Sequence, residues 1–140
     1  MYGDTAASRK RVAQLREQGG DIRAMADRLV AQAESVPWTG RAAESMRNRI
    51  KERASHLRLA AGHHDTAADS LARHAGEVDA LKDAIETTSH KADALVGDAR
   101  TRAAESDPAG EPSREDATLL AFTPPPAGHK DWLTVELPGL

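Results

Sequence analysis

The chain has no cysteine, and only four of its 140 residues are aromatic: Tyr2, Trp38, Phe122 and Trp132. The first absence removes disulfides and thiolate metal sites but leaves the compartment open. The second bears on catalysis. Ligand pockets are concave and lined mostly by large apolar side chains, whereas the apolar complement here is mostly alanine. No stretch approaches the roughly 20 apolar residues of a membrane-spanning helix. The opening MYGDTAASRKRVAQLRE lacks the apolar core of a signal peptide. Export, if it occurs, is expected to follow a signal-peptide-independent route. Asparagine and isoleucine are scarce and arginine far outnumbers lysine, which points to a GC-rich genome.

Alanine favours helix and lets helices pack closely, though it buries little area per residue. These properties predict a thin helical protein that completes its core with a partner. The net charge is −3, unevenly spread. Residues 37–60 carry six basic and two acidic groups, residues 61–105 five and nine, and residues 106–140 two and six.

The apolar spacing defines two long helices. From Thr5 to Ser35, the positions Val12, Leu15, Gly19, Ile22, Ala26, Leu29, Ala33 and Val36 alternate steps of three and four. That is the seam of a coiled coil. Pro37 ends the helix, because the residue before proline is driven from the α region. A second helix begins at Arg41. Its seam reads Ile50, Arg53, Leu57, Ala60, His64, Ala67, Leu71, His74, Val78, Leu81, Ile85, Thr88, Ala92, Leu95 and Ala99, with Arg53 as the mismatch and Met46 apolar at the preceding spacing. It is expected to persist to about Ala104, with Gly76 or Thr87 as the place of any bend. The fold class is therefore all-α: an antiparallel helical hairpin, coiled-coil-like, with a long second helix.

Beyond residue 105 the composition changes. Six of the seven prolines lie in residues 106–140. This predicts a hairpin domain over 1–105 and a Pro-rich, largely disordered tail over 106–140. Two apolar clusters interrupt the tail, 118–122 and 132–137, and either could dock on the helices or on another protein.

Between the helices stands VPWTGRAAE. Gly40 permits a tight reversal, Thr39 or Gly40 can cap the second helix, and Trp38 can fold across the open end of the pair. Burying that indole would contribute about 2–3 kcal/mol. With Trp38-Thr39-Gly40 between two amphipathic helices, followed by Ala42, Ala43 and Met46, residues 4 to 100 resemble the WXG family of small helical-hairpin proteins of type VII (ESX-type) secretion. The resemblance implies a four-helix bundle made with a second WXG-type helical protein, as homodimer or heterodimer. It implies export through a membrane-bound machine in actinobacteria and firmicutes, and no catalytic residues. It also implies a Tyr-xxx-Asp/Glu export signal, which this sequence lacks. The nearest imitation is Trp132 to Glu136, a candidate export signal far down the tail. Otherwise a partner chain supplies the tyrosine.

On this reading the turn motif is Trp38 and Gly40. The helix–helix interface is Val12, Leu15, Ile22, Leu29, Met46, Ile50, Leu57, Leu71, Val78 and Leu81. The expected partners are another WXG-type protein, the secretion machinery or a secreted effector. A cytoplasmic chaperone or adaptor for a secreted toxin is the alternative, and a DNA-associated helical protein a third. The acidic balance and the lack of a recognition element argue against nucleic acid. No two of the six histidines are three or four residues apart, the spacing a helical metal pair needs. No phosphate loop or nucleophile motif is present. No enzyme activity, metal or cofactor is expected.

Overall fold

The computed structural model describes residues 4–106 and 110–140. Among the described residues it is all-helical: α1 (Thr5–Ser35), α2 (Arg41–Glu105), α3 (Arg114–Leu120) and a short 3-10 turn (Lys130–Thr134). The long helices have the bounds the spacing predicts, and α2 continues through Gly62, Gly76 and Thr87 without interruption. The chain separates into two compact units, Asp4–Gly76 and Glu77–Leu140.

The first unit is the hairpin. The Asp4 carboxylate accepts from the Ala6 amide at 2.9 Å and caps α1, satisfying one of the unpaired amides of a helix start. At the other end Pro37 has its expected effect, and Val36 is extended. Val12, Gly19, Ala26 and Ala33 of α1 are buried, each seven residues from the next. On α2 the buried row is Ala54, Ala61, Ala68 and Ala75 at the same interval.

This row corrects half of the expected seam. Ile50, Leu57, His64 and Leu71 do face inward and are half-buried. The alternate positions are displaced by one residue: Arg53, Ala67 and His74 are exposed, and their neighbours Ala54, Ala68 and Ala75 are buried. Both placements have coiled-coil spacing. Close packing selects the four alanines, because a row containing Arg and His would hold the backbones apart.

The approach is tight at Gly19. A methyl group added there would sit 3.1 Å from Asp65 Oδ1 and 3.3 Å from the Ala61 carbonyl oxygen. The seam therefore has little volume to bury, at about 0.8 kcal/mol per methylene-sized group, and relies on contact density. Along its rim, Arg16 pairs with Asp69 at 3.3 Å, Arg23 with Asp65, and Arg58 with Asp27 at 2.8 Å. Exposed pairs contribute about 0–1 kcal/mol each. Their main effect is to fix register.

In the second unit the buried residues of α2 are Ile85, Ala92, Val96 and Ala99. The tail covers them, so residues 110–140 are not the largely disordered segment their composition predicts. Ser113 caps α3 by accepting from the Asp116 amide at 3.1 Å. His129 caps the 3-10 turn by accepting from the Asp131 amide at 3.1 Å. Leu119 and Trp132 are each 3% exposed, and Phe122, Val135, Leu137 and Leu140 pack around them. The Phe122 and Trp132 rings meet edge to face at 6.1 Å, and the indole Nε1–H donates to the Pro126 carbonyl at 3.1 Å. Docking supplies the buried area that order in a proline-rich segment requires. Residues 107–109 of the expected tail lie outside the described residues.

The two mid-helix glycines of α1 separate packing from propensity. A methyl at Gly20 meets nothing within 4 Å. Gly20→Ala is expected to stabilise the protein by about 1 kcal/mol through helix propensity. Gly19→Leu is expected to destabilise it by about 1–3 kcal/mol through overpacking. Thermal and urea unfolding followed by circular dichroism measures both; equal effects would contradict the close approach.

Candidate functional site

The turn is built from backbone constraints upward. Gly40 has φ +100°, a conformation that side-chain-bearing residues rarely adopt. Its carbonyl accepts from the Glu44 amide at 3.1 Å, so Gly40 and not Thr39 is the cap of α2. The residue that fastens the turn is Arg47, in the second turn of α2. Its guanidinium donates to three main-chain carbonyls: Nε to Ala33 at 3.2 Å, and Nη2 to Val36 and Trp38 at 2.7 Å each. These include carbonyls that the end of α1 leaves without helical partners. One cation so closes the C-terminus of α1, where the helix dipole favours positive charge, and binds it to α2.

Trp38 does not plug the hairpin. Its residue is 58% exposed, while its carbonyl is held by Arg47. Seams of alanine and glycine bury little volume per residue, and the indole lies largely outside them. The sequence reading gives Arg47 no part in the turn. The available signal was a guanidinium on the first turns of a helix that follows a proline-terminated one, where free carbonyls accumulate.

The interface residues named from sequence divide between the two units. In the hairpin, Val12 is buried, and Leu15, Ile22, Leu29, Met46, Ile50, Leu57 and Leu71 are half-buried. They flank the alanine rows as a stripe of larger apolar side chains. An open groove lined by Leu29, Arg53, His56 and Leu57 runs along it. Met25 and Leu59 add exposed apolar surface on the same unit. Val78 and Leu81 belong to the second unit and are half-buried there.

The candidate export signal is divided. Glu136 is exposed, but Trp132 is in the core of the second unit. A docked Trp132 cannot be presented to a receptor together with Glu136. The tail is further secured by Arg102, whose Nε and Nη2 donate to the two Asp116 carboxylate oxygens at 3.0 and 2.7 Å. These hydrogen bonds hold the Asp116 carboxyl below its ordinary range, against the opposing effect of partial desolvation, and raise the Arg102 guanidinium.

Among the described residues, no group of three or more His, Asp or Glu side chains is placed to hold a metal, and no helix is long and apolar enough to cross a membrane. His64 is half-buried, with Nδ1 3.0 Å from the Ala60 carbonyl, and His74 is exposed. No family model, no curated protein and no solved structure matches the chain.

The roles of Arg47 and Trp38 in folding should separate cleanly. Arg47→Met is expected to lower stability by about 2 kcal/mol, because hydrogen bonds to charged groups contribute roughly 1.5–3 kcal/mol. Trp38→Ala is expected to change stability by less than about 0.5 kcal/mol, as exposed substitutions do. Denaturant titration of both variants decides the order.

The Arg102–Asp116 fork predicts a pH effect on the tail. A carboxyl whose folded pKa is depressed stabilises the folded state above its unfolded value, near pH ~4. That contribution disappears as pH falls through the lowered folded value. Hydrogen-exchange protection of residues 114–120 should therefore weaken on acidification below about pH 4. Asp116→Asn should lower protection at neutral pH and remove that acid-dependent step.

Proposed function

We propose that the chain is a type VII secretion-associated helical protein that acts by helix packing and not by catalysis. It is exported, or serves as the partner of an exported protein. The observation that carries this reading is Trp38. It is a large apolar side chain, 58% exposed, on a turn that Gly40 permits and whose carbonyls at Val36 and Trp38 are held by Arg47. Tryptophan is enriched among the residues that anchor protein interfaces.

The half-buried stripe supports the same reading. Leu15, Ile22 and Leu29 of α1 with Ile50, Leu57 and Leu71 of α2 leave apolar surface on one hairpin. A second hairpin of similar construction would cover it and form a four-helix bundle. The partner expected from the resemblance is another WXG-type helical protein carrying the tyrosine-based signal. Burial of Trp132 favours a signal supplied by that partner over one formed by Trp132 and Glu136 of this chain.

The alternative, a cytoplasmic adaptor for a secreted toxin, uses the same surfaces but stays inside the cell. Location separates the two. The exported reading expects wild-type protein in culture filtrate without a cytoplasmic lysis marker; its absence there favours the adaptor. Trp38→Ala is expected to fold as wild type and lose partner binding by about 2 kcal/mol, roughly thirtyfold, with a matching fall in export. Normal binding and export of that variant would remove the role given to the turn.

A further inference from the structure

We propose that residues 85–99 of α2 form a helix-docking face which the chain's own C-terminal segment occupies, and that release of this segment opens the face to a second copy of the chain. The contact lies within the second unit and is independent of Trp38 and of the secretion reading.

The segment owes its structure to the face. α3 has seven residues and the 3-10 turn five, and isolated helices below ~12 residues are marginal in water. Their backbone hydrogen bonds close locally, from Ala117 to Ser113, Ala121 to Ala117 and Trp132 to His129. What attaches them to α2 is side chains: the cluster around Trp132 and Leu119, and the Arg102–Asp116 fork. A segment held this way leaves as a unit when its anchor is lost, while α2 keeps its own helical hydrogen bonds.

The segment is also an imperfect cover. Beside it runs a groove of about 460 Å³, lined by Lys82, Ile85, Glu86, Ser89, His90, Ala127 and Gly128. Irregular chain leaves space that the regular ridges of a packed helix would fill.

The face itself has the pattern that seats a helix. Ile85, Ala92 and Ala99 are buried and seven residues apart, the interval of the alanine row within the hairpin. A second copy suits this face by symmetry. Two such helices, antiparallel about Ala92, place Ile85 of each against Ala99 of the other, so large meets small at both ends. That pairing is self-complementary, as a two-fold interface requires. On the flank, Glu86 of each copy comes opposite Arg100 of the other, giving two attractive pairs of the kind that sets partner orientation in coiled coils. Asp93 on this flank and Lys91 on the other each meet their own counterpart, so the charges balance and the match of large to small side chains carries the pairing.

The test uses the full chain with Trp132→Asp, which sets a charge in the docked cluster. Hydrogen exchange should show loss of protection over 114–140 with α2 still protected. Sedimentation equilibrium should show self-association at least about tenfold tighter than wild type. Adding Ala92→Arg should return the mass distribution to that of wild type, including any dimer formed through the hairpin. Three results would overturn the proposal: protection of 114–140 unchanged in Trp132→Asp, a released segment with unchanged mass, or association that persists with Ala92→Arg. The last would place the contact elsewhere, such as on the freed apolar residues of the tail.

Discussion

The close approach of two backbones governs this molecule. Val12, Gly19, Ala26 and Ala33 face Ala54, Ala61, Ala68 and Ala75 in a seam with almost no side-chain volume. Packing density compensates for area: many weak contacts at short range replace a few large buried side chains. The larger residues of the same heptads, Leu15, Ile22, Leu29, Ile50, Leu57 and Leu71, are pushed to the flank and stay half-exposed. A hairpin stabilised in this way is ordered internally and still retains apolar surface.

The turn follows from the same constraint. The seam is narrow, and Trp38 at its end is 58% exposed. Carbonyls at the end of α1, those of Ala33 and Val36, accept from Arg47, a flat donor reaching across from α2. Structure and display are thus carried by different side chains. Arg47 and Gly40 determine where the backbone goes, and Trp38 is available for contact.

Along α2 the means of covering apolar surface changes. The positions that continue the alanine row past Ala75 at sevenfold spacing are Lys82 and Ser89, which are unsuited to a tight helix pair. The buried row becomes Ile85, Ala92 and Ala99. Here volume is supplied from outside the helix by Phe122 and Trp132, half of the chain's aromatic residues. The scarcity of aromatics elsewhere and their concentration in the proline-rich segment are two sides of one arrangement: alanine where backbones meet, rings where irregular chain must hold to a helix.

Much of the fold was determined by local sequence. The bounds of α1 and α2, the break at Pro37, the reversal at Gly40 and the buried row of α1 are set by periodicity, proline geometry and glycine freedom, which act within a few residues. The alternate row of α2 was not fixed this way. Two placements one residue apart have equally good spacing, and only the distance between the backbones selects Ala54, Ala61, Ala68 and Ala75 over Arg53, Ala60, Ala67 and His74. The position of Trp38, the carbonyls bound by Arg47 and the docking of residues 110–140 also depend on tertiary structure. Composition reports how readily a segment orders by itself; whether a neighbouring surface fits its few apolar side chains is a property of the folded chain. Trp132 shows the difference most plainly: an apparent signal residue in a proline-rich tail becomes, once α2 presents Ile85 and Ala92 to it, the centre of a core.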